Sequence, residues 1–196
     1  RRETAEWLSA EVSAAMQTLA MKGGRFEAAL VPGEPAATGL ERVEFRVAAN
    51  PSQALAPLAR VASGGELSRI GLAIQVIASR ASDTPTLIFD EVDVGIGGAV
   101  AEIVGRSLWQ LGRDRQVLAV THLPQVAAWA DWQLRVWKEE EGGAMHTRVE
   151  ALEPAARVEE IARMLGGLEI TDTTREHARE LLARRGMNQT EPPPAG

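Results

Sequence analysis

The 196-residue sequence contains no cysteine, and aromatic residues make up only 4% of it. The first absence excludes disulfides and thiolate metal sites and fits a cytosolic setting, so stability has to come from packing. No run of about 18 or more apolar residues occurs, which excludes a conventional spanning helix. The opening Arg1-Arg2-Glu3-Thr4-Ala5-Glu6-Trp7 has no apolar core of the kind a secretory signal needs. An arginine-rich start without methionine is what a piece of a longer chain would show. Basic residues are also short: 21 Lys and Arg stand against 27 Asp and Glu, a net charge of −6. That balance argues against a broad electrostatic footprint for nucleic acid and leaves any such contact to local patches. The five tryptophans do not interleave with a basic run, so they read as packing groups rather than base-stacking platforms. Finally, no G-x-x-x-x-G-K-[ST] is present: Gly23-Gly24, Gly64-Gly65 and Gly97-Gly98 all lack the lysine that reaches β- and γ-phosphates.

What is there concentrates between Val61 and Val100. Ser63-Gly64-Gly65-Glu66 opens an apolar helix, with Ser63 as N-cap and Glu66 completing a capping box. The two glycines leave backbone N–H groups open to an anion. Leu87-Ile88-Phe89 then reads as a core strand delivering Asp90 and Glu91 to its carboxyl end, the edge at which open α/β sheets bind ligands. Alone, the glycine turn is an ordinary capping box, and the acidic pair an ordinary solvated strand end. In order, and followed by a second apolar strand ending in Thr121-His122, they favour metal-dependent phosphoryl transfer: one carboxylate anchors Mg²⁺ through water, the other orients and deprotonates water. His122 by itself reads as a loop histidine, or one satisfied in the core. Arg69 reads as solvated charge, and His146 and His177 have no partner at metal-ligand spacing.

The length suits one main domain. Leu8, Val12, Ala15 and Leu19 form a heptad-like seam on a first helix reaching about Lys22, which is either a helix packed on its own core or the end of a coiled coil. Phe26–Val31 and Leu40–Val47 alternate as an antiparallel hairpin, with Pro32, Gly33, Pro35 and Gly39 in a long turn and Arg42, Glu44 and Arg46 on a solvated face. Asn50–Arg60 reads as a loop. The helix from Ser63 places Leu67, Ile70, Ile74 and Ile77 inward and stops before Pro85. Strand Thr86–Phe89, a helix from Gly97-Gly98 to Gly112, and strand Gln116–Val120 make a βαβ unit with parallel pairing. A short helix over Leu123–Ala130, strands at Trp132–Trp137 and His146–Ala151, and helices Pro154–Leu165 and Thr171–Arg185 follow. The last of these is capped by Thr171 or Asp172.

The turn Ser63-Gly64-Gly65-Glu66, the run into Asp90-Glu91, the glycine-rich Val94-Gly95-Ile96-Gly97-Gly98 and Thr121-His122-Leu123-Pro124 together resemble the RecN family of SMC-like DNA repair ATPases, within the ATP-binding-cassette superfamily. SMC-type heads usually read DEVDAALD, and transporter cassettes DEPTSALD, where this chain reads DEVDVGIGG. Gly97 stands where many cassettes carry an aspartate, so no carboxylate role is assigned there. The resemblance implies an α/β fold: the C-terminal lobe of an ABC/SMC-type head, its first helix the stump of a coiled-coil arm. It implies residues 1–22 as the end of the arm, 23–185 as the head lobe and 186–196 as a flexible tail. It makes Ser63, Gly64, Gly65 and Glu66 the signature that meets the nucleotide of an opposing head, Asp90 the Walker B ligand of Mg²⁺, Glu91 the residue that polarises water, and His122 the γ-phosphate switch. ATP and Mg²⁺ are the implied cofactors, and DNA double-strand break repair and recombination the implied role. The implied partners are a Walker A lobe of the same protein, a second head and DNA, in a cytoplasmic, nucleoid-associated setting with no membrane. A non-catalytic DNA-tethering head and a transporter nucleotide-binding domain are the rival readings. The intact Glu91 and His122 stand against the first, and the missing usual D-loop stands against the second.

Overall fold

The computed structural model describes residues 1–60, 64–81, 83–90, 93–166 and 169–187; Ser63, Glu91 and, of the expected 186–196 tail, residues 188–196 lie outside the described residues, while 186–187 still belong to the last helix. The chain forms two compact units, Arg1–Val120 and Thr121–Gly196. Among the described residues no helix is long and apolar enough to cross a membrane.

In the first unit, helix α1 (Arg2–Thr18) precedes strands β1 (Arg25–Ala36) and β2 (Gly39–Ala48). The hairpin alternation holds: Phe26 pairs with Val47, Ala28 with Phe45 and Leu30 with Val43, so all six share one face. The Phe26 and Phe45 rings lie 5.3 Å apart on it. The long turn expected around Pro32 does not form. Pairing resumes after an irregularity and reaches Ala36 opposite Gly39, because β1 is an edge strand, where proline removes no needed donor. The expected loop after Asn50 contains a two-residue strand, β3 (Ala56–Pro57), antiparallel to β2, and a 3-10 turn at Leu58–Arg60.

The seam of α1 faces inward and is seated on β1 and α2 (Gly64–Arg80), with Val12 and Met16 fully buried. Two serines on α1 complete the edge of β1. Ala28 N–H donates to Ser9 Oγ at 2.9 Å, Phe26 N–H donates to Ser13 Oγ at 2.9 Å, and the Ser13 hydroxyl donates to the Phe26 carbonyl at 3.2 Å. The outward-facing amides of an edge strand, otherwise a template for aggregation, are thus satisfied within the chain.

Helix α2 buries Ile70, Leu72, Ala73, Val76 and Ile77, but Leu67 is exposed and Ile74 only half-buried. Strand β4 (Thr86–Phe89), helix α3 (Gly98–Leu111) and strand β5 (Gln116–Ala119) follow as expected, with β4 and β5 adjacent and parallel, Phe89 opposite Ala119. The expectation of a fully core strand is corrected on one face: Ile88 is 71% exposed, Leu118 45% and Val120 60%. At the far end of α2, Arg115 Nη1 donates to the Ser79 carbonyl at 2.6 Å, placing positive charge on the helix C-terminus.

The second unit contains a single turn, α4 (Pro124–Ala127), the hairpin β6 (Leu134–Glu141) and β7 (Ala144–Ala151), and helices α5 (Pro154–Gly166) and α6 (Asp172–Met187). The hairpin turn is Gly142-Gly143, both at positive φ. Ala127, Ala128, Ile161, Ala162, Ala178 and Leu181 make the core. Thr171 is the cap of α6, its Oγ1 accepting from Thr174 N–H at 3.2 Å. Buried Glu160 accepts two bonds from Arg163, at 2.7 and 2.9 Å, and lies 3.6 Å from Arg135 on β6; the bond to Glu160 raises the Arg163 pKa. Only Trp129 among the tryptophans is buried, and Trp132 is 86% exposed, which corrects the reading of all five as packing groups. Trp109 and Trp137 instead lie under the guanidiniums of Arg113 and Arg135.

Candidate phosphate-binding site

The first turn of α2 begins at Gly64, where the sequence places it. The first N–H groups of a 17-residue helix have no intrahelical acceptor and carry the positive end of its dipole. Among the described residues a Cβ at Gly64 would meet nothing within 4 Å, which leaves the backbone on that side open to a ligand. Gly65 is different. A Cβ on it would stand 3.3 Å from the Gly95 carbonyl, and a Cβ on Gly95 would stand 2.9 Å from Gly65 Cα. Gly95 has φ of +73°, in a turn where Ile96 N–H donates to the Asp93 carbonyl at 3.3 Å. Two glycines thirty positions apart in sequence therefore seat the helix start on the loop that follows Asp90, backbone against backbone.

Asp90 is exposed at the end of β4, and Asp93, three residues on, is buried. Asp93 carries no signal in the sequence, and Gly95 stands there only as one member of the glycine-rich run: its φ and its contact with Gly65 carry no periodicity. Arg69, one turn into α2, turns its guanidinium back along the helix, Nη1 lying 3.8 Å from the Cβ position of Gly65. Among the described residues no group of three or more His, Asp or Glu is arranged to hold a metal by itself. An exposed Asp90 suits Mg²⁺ held jointly by one carboxylate, water and phosphate oxygens.

β5 leads into Thr121 and His122, which open the second unit. Leu123 N–H donates to Thr121 Oγ1 at 3.0 Å, closing a side-chain turn with the exposed His122 at its tip. Leu123 caps α4, its carbonyl accepting from Val126 and Ala127 N–H at 3.1 Å, and Pro124 opens the turn. The geometry thus presents Gly64, Gly65, Glu66 and Asp90 on one unit and His122 on the other, while Ser63 and Glu91 lie outside the described residues.

No family model matches the chain. The chain is 48% identical over 173 residues to the DNA repair protein RecN of Vibrio cholerae, covering 87% of the chain and 31% of that protein. With RecN of Deinococcus radiodurans it shares 48% over 184 residues, covering 93% and 32%. The chain is RecN-like. It spans about a third of the length of the curated RecN proteins it matches. The fold agrees with SMC heads. The Smc head domain with a coiled coil and joint from Pyrococcus yayanosii superposes with a TM-score of 0.63 at 21% identity, over 82% of this chain and 29% of that one. A structure from work on ATP-driven dimerization and DNA-stimulated activation of SMC ATPases gives 0.59 at 18% identity, over 85% and 96%. The RecN-like motifs thus sit on an SMC-type α/β head fold.

Proposed function

We propose that this chain is the C-terminal half of a RecN-like ATPase head, which binds and hydrolyses ATP between two heads to drive DNA double-strand break repair and recombination. The observation that carries the reading is the seating of Gly65 on Gly95, which joins the signature turn to the loop beyond Asp90 and so gives two distant phosphate-handling motifs one location. In this reading the N–H groups of Gly64 and Gly65, with Ser63 and Glu66, receive the γ-phosphate of nucleotide held by the opposing head. Asp90 holds the water shell of Mg²⁺, Glu91 orients and deprotonates the attacking water, and His122 contacts the γ-phosphate. Mg²⁺, when bound, neutralises charge developing on the phosphate oxygens. The exposed face of Ile88, Leu118 and Val120 fits the docking of the Walker A lobe. Residues 1–22 end a coiled-coil arm whose last turns are seated on β1, 23–185 form the lobe and 186–196 its tail. DNA and a second head complete the partners, in a cytoplasmic, nucleoid-associated setting.

The test is Glu91→Gln in this chain assembled with its Walker A lobe. The amide still holds water but takes no proton, so ATP binding should persist while hydrolysis slows about 10²–10⁴-fold. The heads should then stay paired in ATP, measured by size-exclusion light scattering. Near-normal turnover removes the base role from Glu91 and this reading with it.

A further inference from the structure

We propose that Arg157 and Arg185 are positioning residues for the His122 turn: their guanidiniums converge on Ala130 and Asp131, just beyond α4, the short helix whose other end carries the imidazole. This rests on the reading of His122 as the γ-phosphate switch. Arg157, on α5, donates from Nη2 to the Ala130 carbonyl at 2.9 Å and from Nη1 to the Asp131 carbonyl at 3.3 Å. Arg185, on α6, donates from Nη1 to the same Ala130 carbonyl at 3.1 Å and from Nη2 to the Asp131 carboxylate.

The segment between the clamp and His122 is short and stiff. Thr121 closes one end, Pro124 fixes the first turn, and Val126, Ala127, Ala128 and Trp129 are all buried. A four-residue helix has too few internal bonds to hold itself, so its place is set from outside. Two guanidiniums on the Ala130 carbonyl, three residues past its last helical residue, supply that hold. Between Ala130 and α4 stands only the buried turn Ala128-Trp129, so a displacement of Ala130 is passed toward the exposed imidazole.

The arrangement also costs something. Burial lowers the Arg157 pKa, the neighbouring Arg185 charge lowers it further, and Asp131 offsets part of this. Neither Nε has an acceptor among the described residues. Arg157 ties α5 and Arg185 ties α6 to the same Ala130 carbonyl, so two like charges are kept together on one acceptor of this segment.

The test uses the assembled ATPase and four proteins: the parent, Arg157→Ala, His122→Ala and the double variant, with kcat and KM for ATP measured separately. Arg157→Ala should lower kcat about tenfold at unchanged KM; about 10²-fold is what a 1 Å misplacement costs. The double variant should be no slower than His122→Ala alone, because the clamp acts through the imidazole. Arg157→Lys, which keeps the charge and one donor, should recover part of the rate. If Arg157→Ala does not fold by thermal unfolding, the same cycle is run with Arg157→Lys and Arg185→Lys. A defective His122→Ala combined with an additive double variant overturns the clamp alone, as does a loss confined to KM. Normal turnover by His122→Ala overturns the switch reading and the clamp together.

Discussion

Replacing Gly95 by alanine tests the contact on which the candidate site is built. Gly95 holds φ of +73°, where an L-residue pays roughly 1–2 kcal/mol per residue. The new methyl would also stand 2.9 Å from Gly65 Cα, about 0.5 Å short of the 3.4 Å at which ordinary contact begins. The neighbour is backbone, not the far end of a flexible side chain, so relief requires the first turn of α2 or the loop itself to move. Overpacking of this kind costs typically about 1–3 kcal/mol, so the variant should lose about 2–5 kcal/mol if neither partner yields, and less in proportion as they separate. Urea unfolding of the chain measures the sum. Gly97→Ala is the matched control: its φ of −170° suits any residue, and a Cβ there meets nothing within 4 Å among the described residues. In the assembled ATPase, Gly95→Ala should retain ATP binding by a single head and lose ATP-dependent pairing, since the signature turn is displaced from its place. Equal stability of the Gly95 and Gly97 variants, with normal pairing in both, would refute the argument.

Other expectations follow from the same structure. Ser13→Ala leaves the buried Phe26 N–H without its partner and should cost about 1–3 kcal/mol in urea unfolding; an unchanged midpoint would show that water replaces the hydroxyl. Ile88→Asp, at a position 71% exposed, should leave the fold of the chain within about 0.5 kcal/mol of the parent. The same substitution should abolish co-purification with the Walker A lobe, and retained association would place that lobe elsewhere. The chain alone should show no micromolar affinity for Mg-ATP by calorimetry, because the loop that cradles the β- and γ-phosphates is absent from its sequence. Ser63→Arg should spare ATP binding by one assembled head but block pairing. Mixed with a Walker A-defective head it should recover partial hydrolysis, and loss of nucleotide binding by the single head would show that the signature acts within its own head.

The strands that carry the site were legible because each is a short apolar run between turn signals, and the helix between them starts and stops at glycine. The full buried face of α2 was not. Ile70 and Ile77 are buried as their spacing predicts, yet Leu67 is exposed and Leu72 buried. Nor was the seating of α1. Ser9 and Ser13 read as ordinary polar positions on a helix, and only the fold shows that their four-residue spacing meets the two-residue spacing of edge amides on β1.

The glycines show most clearly where sequence reasoning runs out. Val94-Gly95-Ile96-Gly97-Gly98 carried the RecN resemblance as a pattern, without a reason for any one glycine. In the structure the reasons separate. Gly95 needs both its positive φ and its missing side chain; among the described residues Gly98 needs its φ of +52° but has open space, and Gly97 needs neither. The position where many cassettes carry an aspartate is thus one at which this backbone imposes no glycine. The space around it, open among the described residues, lies on the same loop that Gly95 seats on the turn at Gly65. In the proposed reading, an open position beside the anchored turn at Gly65 is a natural place for the opposing head to seat. The Gly97→Ala control therefore reads more than stability: normal unfolding together with weakened pairing would place the opposing head against this loop.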